Sequence, residues 1–186
     1  MIMSKIVLAS QSPRRKMLLE WAEIDFEIRV KETDESFPGN MSVEDVPVYI
    51  ARNKAVAVKT PDEIIIAADT VVVLNNEIIG KPRDNIDAFN ILSKLSGQTH
   101  RVITGVVIMK GDKEISFSDI TEVQFYDLSA EQINFYIDKY KPYDKAGAYA
   151  IQEWIGVTGI KKINGDFYNV MGLPVSRVVK TLQQLR

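Results

Sequence analysis

Cysteine is absent from this chain and histidine occurs once, at His100. Disulfides, thiol nucleophiles and thiolate metal sites are thereby excluded, and so is any multi-histidine metal centre. A Ser-His-Asp site would depend on that one residue. His100 follows Gln98-Thr99 in a hairpin region, and its sequence context assigns it no role. Excess charge is missing too: 23 Lys and Arg stand against 25 Asp and Glu, a formal net charge of −2. Bulk attraction to nucleic acid or to an acidic membrane is therefore not expected. No apolar run approaches the length of a membrane span, and Met1 to Ala9 is shorter than a signal peptide. The expectation is a cytoplasmic protein with no membrane partner.

What is present is an ordinary globular balance, 46% hydrophobic and 26% charged in 186 residues. That length suits one domain over residues 1–186, with room for two lobes. Lys5 to Ser10 reads as a short buried strand, and Ser12-Pro13 after it is a helix-start signal, a side-chain cap followed by proline. Phe26 to Val30 reads as a second strand. Ser42 to Lys59 has helix composition, with Ser42 as its cap and Pro47 tolerable only near the start. Ile64 to Ala68 is apolar without alternation, as in a strand covered on both faces. It delivers Asp69-Thr70, and Val71 to Leu74 turns at Asn75-Asn76 into Glu77 to Ile79. Helical patterns follow at Ile86 to Leu95, from Ser129 to about Lys139, and at Val175 to Leu185. Three β-rich segments, Thr99 to Met109, Glu114 to Ile120 and Thr121 to Phe125, separate the first two of these. Pro142 to Ile155 reads as a mixed loop, followed by a short strand near Ile160 to Ile163. Strands interleave with helices, so the class is α/β, and the hairpins favour a mixed sheet over a parallel one.

Several residues can carry chemistry. Ser10 to Arg15 places two serines and two arginines at a helix start, where backbone amides and the helix dipole favour an anion. A solvated cap is the equally weighted alternative. Asp69 closes a buried run, where a carboxylate can reach a metal or a water. Glu35 lies in an acidic loop, Lys54 in an apolar helix stretch, and Lys81 on the stiff turn Gly80-Lys81-Pro82. Tyrosines between Tyr140 and Tyr149 suit either stacking on a base or core packing. Separated carboxylates, cations and an anion-binding helix start together suggest phosphoester chemistry with a hard divalent metal, Mg²⁺ or Mn²⁺.

Six blocks then resemble the Maf proteins in order and spacing: Leu8-Ala9-Ser10-Gln11-Ser12-Pro13-Arg14-Arg15, Ala68-Asp69-Thr70-Val71-Val72, Gly80-Lys81-Pro82, Ser96-Gly97-Gln98-Thr99-His100, Asp144-Lys145-Ala146-Gly147-Ala148-Tyr149 and Asn169-Val170-Met171-Gly172-Leu173-Pro174. The resemblance implies a Maf/inosine-triphosphatase-like fold, a mixed twisted sheet with flanking helices in two lobes around a deep cleft. It implies hydrolysis of the α–β phosphoanhydride of a nucleoside triphosphate, a link to septum formation in dividing bacteria, and compatibility with a homodimer. Asp69 matches the family's general base. An ordinary aspartate is too weak a base for free water, so it has to gain strength by burial or act on water acidified by a metal. Glu35 matches an acidic residue that helps bind the metal with Asp69. Arg15, Lys54 and Lys81 match cations that hold the triphosphate, and Ser10 fits the phosphate cradle. Arg14, Thr70 and Gln152 match positions of substrate choice. Thr70 and Gln152 resemble the subfamily acting on dTTP and UTP; the alternatives are 7-methyl-GTP, a broad nucleotide range, or a non-catalytic nucleotide or nucleic-acid binder regulating division. Two places depart from the pattern. Glu153-Trp154 stands where glycine and then lysine or a small residue are common, and Gly159-Ile160 where Phe-Val is frequent.

Overall fold

The computed structural model describes residues 5–185, so the first four residues of the Met1–Ala9 stretch, and Arg186, lie outside the described residues. Fourteen α- and β-elements follow in order: β1 (Ile6–Leu8), α1 (Pro13–Trp21), β2 (Glu27–Ile28), α2 (Val46–Val58), β3 (Ile64–Leu74), β4 (Glu77–Ile79), α3 (Asn85–Leu95), β5 (Thr99–Lys110), β6 (Lys113–Phe125), α4 (Ala130–Tyr140), α5 (Trp154–Gly159), β7 (Ile160–Asn164), α6 (Phe167–Met171) and α7 (Val175–Gln184). A 3₁₀ turn, Ala146–Ala148, precedes α5. The strand order is β2-β1-β3-β5-β6-β7, with β4 paired to β3. β1 runs parallel to both β2 and β3, whereas β3–β4 and β6–β7 are antiparallel. The fold is a mixed α/β sheet with flanking helices. Among the described residues no helix is long and apolar enough to cross a membrane.

Two compact units divide the chain. The first takes residues up to Thr70, then Thr104–Asp119, and the chain from Gly172 onward; the second takes Val71–Ile103 and Ile120–Met171. Side chains alternate across a strand, and in the first unit this alternation sorts the residues cleanly. Odd-numbered strand residues Val7, Ile65, Ala67, Val107 and Met109 pack in one buried cluster with Ala51, Ala55 and Val58 of α2. Small residues on both sides let α2 lie close on the sheet. The closest approach is at Gly105, where a Cβ would stand 2.2 Å from the Val48 nitrogen and 2.3 Å from the Pro47 carbonyl carbon. Even-numbered Thr70 and Thr104 point the other way, toward the start of α1.

Four expectations need correction. Asp69 does not close its strand: β3 continues through it to Leu74. It lies instead past the carboxyl end of the neighbouring β1, whose last paired residue, Leu8, sits beside Ile66. Ser42 does not cap α2, which begins at Val46 with Pro47 in its first turn. A proline lacks an N–H and blocks the preceding turn, so the helix cannot start a full turn earlier. Ser42 closes a turn instead, donating to the Asp45 carboxylate at 2.7 Å and accepting from the Asp45 N–H at 3.2 Å. Glu114 to Phe125 is one strand rather than two. The 142–155 stretch is not wholly loop, since it holds the 3₁₀ turn and the first residues of α5.

Candidate active site

The chain leaves β1 at Leu8 and re-enters regular structure at Pro13, so Ala9 to Ser12 form a tight connection. Ser12 caps α1 with extended backbone, its hydroxyl accepting from the Arg15 N–H at 3.4 Å. Its own N–H donates to Ser10 Oγ at 3.3 Å. The expected cap and proline start are both present. Arg15 does not reach outward from this turn as a solvated arginine would; it is buried, 8% exposed. Its Nε donates to the Gly172 carbonyl at 2.8 Å, one terminal nitrogen to Ser10 Oγ at 3.1 Å and the other to Thr70 Oγ1 at 2.9 Å. Thr70 Oγ1 also pairs with Thr104 Oγ1 at 2.9 Å. Burial lowers the Arg15 pKa from its ordinary value; the charge of Asp69 opposes this, Arg14 adds to it and Glu35 opposes it again. A guanidinium has five N–H groups, so each terminal nitrogen keeps a second donor. Ser10, Arg15 and Thr70 are thus one hydrogen-bonded cluster, with half-buried Arg14 on the same first turn.

On the opposite side of β3, Asp69 faces α2. Lys54 of that helix, its side chain 15% exposed, donates to Asp69 Oδ1 at 2.7 Å. The same ammonium lies 2.7 Å from Glu35 Oε1. The structure therefore brings together three residues that are 15 or more positions apart in sequence: a general-base candidate, an acidic-loop residue and a cation. The Lys54 ammonium is thus held between two carboxylates rather than extended to solvent. Among the described residues no group of three or more His, Asp or Glu converges on one point. Mg²⁺ commonly takes only one or two protein carboxylates and fills the remaining positions with phosphate oxygens and water. Asp69 and Glu35, two hard oxygen donors drawn to one positive centre, fit that demand.

In the second unit, Lys81 and Gln152 are both exposed. Gly80, just before Lys81, accepts at its carbonyl from the Gly147 N–H at 3.1 Å. Gly147 has φ +69° and sits against Val72, which a Cβ would meet at 2.9 Å. Only glycine suits that position, and it ties the turn bearing Lys81 to the segment that leads to Gln152. Tyr149 is core rather than a face for a base. It is 5% exposed, packs edge-on to Phe125 and shares a 2.7 Å hydrogen bond with His100 Nε2. Burial pushes the Tyr149 hydroxyl pKa up and that of His100 down to about 4.

Two further residues belong to these hydrogen-bonded networks without having been named from the sequence: Thr104, bonded to Thr70, and Tyr136, bonded to the Ala150 N–H. Thr104 is the one polar residue in the apolar run Val102 to Met109, a signal that was available. Tyr136 sits among Phe135, Tyr140 and Tyr143, and nothing in that spacing separates it from its neighbours.

The family model described as Maf-like protein matches residues 5–185. A dTTP/UTP pyrophosphatase of Cytophaga hutchinsonii is 54% identical over 182 residues, 97% of this chain and 84% of its own length. One from Parabacteroides distasonis is 52% identical over 183 residues, covering 96% of this chain and 95% of its own. Among solved structures, a HAM1 protein from Coxiella burnetii aligns over 66% of this chain and 73% of its own, with 16% identity and a TM-score of 0.45. The match along every described residue, and identity above half to two relatives over most of their length, make this chain a member of the Maf-like protein family.

Proposed function

We propose that this chain is a nucleoside triphosphate pyrophosphatase that hydrolyses dTTP and UTP to the monophosphate and pyrophosphate. The observation that carries the reading is the Lys54–Asp69–Glu35 cluster, found in a chain 54% and 52% identical to relatives that bear that name. A protein that only bound a metal–nucleotide complex would need cations and metal ligands, but no base placed beside them.

The reaction requires a water oxygen to bond to the α-phosphorus while the bond from that phosphorus to the α–β bridging oxygen breaks. The electron pair of the broken bond leaves with pyrophosphate, and the water's proton passes to Asp69. Asp69 is the base in this scheme, held by Lys54 on the face of β3 toward α2. Negative charge on the leaving group is offset by Lys54, Lys81 and the remaining N–H groups of Arg15, with Ser10 at the phosphate cradle and Arg14 serving substrate choice. Asp69 and Glu35 would hold Mg²⁺ or Mn²⁺, which supplies charge neutralisation on the triphosphate and a more acidic water. Gln152 offers both a donor and an acceptor to the polar edge of thymine or uracil. Thr70 contributes to substrate choice through the hydroxyl it shares with Arg15 and Thr104. The roles of Lys81 and Gln152 rest on the resemblance of their motifs.

The test is pyrophosphate release from dTTP, UTP, CTP, the purine triphosphates and 7-methyl-GTP, each with Mg²⁺, with Mn²⁺ and with chelator. Release confined to dTTP and UTP and abolished by chelator is the expected result. Preference for 7-methyl-GTP would keep the reaction and overturn the use made of Thr70 and Gln152. Binding without release from any nucleotide would overturn the enzymatic reading.

A further inference from the structure

Gln152 occupies the corner of a turn that is held from behind. Ala150 to Glu153 closes on itself, the Glu153 N–H donating to the Ala150 carbonyl at 3.1 Å. Ile151 at the corner is buried and Gln152 beside it is exposed. Both ends of the turn meet one hydroxyl, that of Tyr136 on α4, which is itself fully buried. The Tyr136 oxygen accepts from the Ala150 N–H at 3.1 Å and donates to the Glu153 carboxylate. Glu153 occupies the N-cap position of α5, yet makes no capping hydrogen bond with its side chain. The carboxylate is turned away from its own helix and toward Tyr136. Lys145, 8% exposed, holds Asp144 at 2.8 Å and stands 3.8 Å from the other Glu153 oxygen. One residue further on, Trp154 packs edge-on against Phe135 of α4, with ring centroids 4.8 Å apart. Glu153 and Trp154 are one of the two places at which this sequence departs from the pattern it otherwise resembles, and both dock onto α4.

We propose that Tyr136 and Glu153 are positioning residues that set nucleobase selectivity by fixing the turn that presents Gln152. This rests on the reading of Gln152 as the group that meets the base. A hydroxyl that bridges the first and last residues of a four-residue turn restricts the backbone of the two between them. A side chain on such a turn meets its ligand without first paying an ordering cost. Losing the bridge leaves the phosphate chemistry intact and loosens only the recognition of the base.

The experiment measures kcat and KM for UTP, dTTP, CTP and GTP in wild type, Tyr136→Phe, Glu153→Ala and Glu153→Gln, with the thermal midpoint of each. Glutamine retains an oxygen that accepts from the tyrosine, so Glu153→Gln is the rescue. Expected for Tyr136→Phe and Glu153→Ala is a rise of about tenfold in KM for UTP and dTTP, the scale of one hydrogen bond. Their kcat stays near wild type, the preference for UTP over CTP narrows by a similar factor, and Glu153→Gln stays close to wild type. Unchanged KM and preference in both variants, with wild type active on UTP, would overturn the proposal and leave the enzymatic reading standing. A fall in kcat that tracks a lower thermal midpoint, with preference unchanged, would overturn it as well, by showing a structural role only. A wild type that binds nucleotide but releases no pyrophosphate would overturn both.

Discussion

At the scale of single residues, burial decides what each charged group is free to do. Arg15 was expected to meet a phosphate directly; the structure first gives its guanidinium to Gly172, Ser10 and Thr70. An arginine suits this work because its rigid planar fork presents five donors in fixed directions, so three acceptors are held with donors to spare. His100 shows the opposite case, a titratable group whose packing has removed its charge. It stacks on Phe125 and bonds to Tyr149, and burial holds its pKa at about 4 against an ordinary 6.5. The folded chain thus favours the neutral ring, and on acidification the unfolded chain takes up the proton first. Stability is lost as pH falls from about 6.5 to about 4, and this group adds no further change below that. The loss is on the order of 3 kcal/mol. Urea unfolding of wild type and His100→Gln at several pH values reads it, with the two stabilities converging as pH falls through that window. Parallel curves would contradict the assignment.

At the scale of elements, the sequence was legible wherever one local signal decides the outcome. Ser12-Pro13 announced α1, the apolar run announced β3, and Ser129 announced α4, which carries a full capping box with Gln132. It was less legible where a distant partner decides. Val71 to Leu74 continues in β-type residues after Asp69-Thr70, but two polar residues interrupt the apolar pattern there. Their side chains are instead satisfied on opposite faces, by Lys54 and by Arg15, so the strand runs through. α2 starts at Val46 rather than at Ser42 because Pro47 has to lie in the first turn, and Gly105, about sixty residues later, gives that turn room against β5. That contact carries a prediction. Gly105→Ala would drive a methyl into the backbone of Pro47 and Val48, costing about 1–3 kcal/mol. At this chain length the thermal midpoint should fall by roughly 3–10 °C. Gly39→Ala, where a Cβ meets nothing within 4 Å, should leave it almost unmoved. Equal midpoints for the two variants would show that the approach of α2 to β5 is looser than described.

At the scale of the whole molecule, every residue proposed for the chemistry was named from the sequence, but the wiring between them was not. Asp69, Lys54 and Glu35 stand 15 to 34 positions apart, and no spacing rule joins a mid-strand aspartate to a helix and an acidic loop. Alternation along β3 supplies the missing rule, sending Asp69 toward α2 and Thr70 toward α1. The same holds in the second unit, where Gln152 was visible but the tyrosine that fixes its turn was hidden in an aromatic stretch of α4. The whole scheme turns on Asp69 taking the proton of the attacking water. Pyrophosphate release from UTP by Asp69→Asn, under conditions that saturate wild type and with nucleotide binding measured alongside, tests it most directly. Positioned general bases contribute about 10²–10⁴-fold, so kcat should fall by at least about 100-fold with binding retained. Near-normal turnover in Asp69→Asn would contradict it.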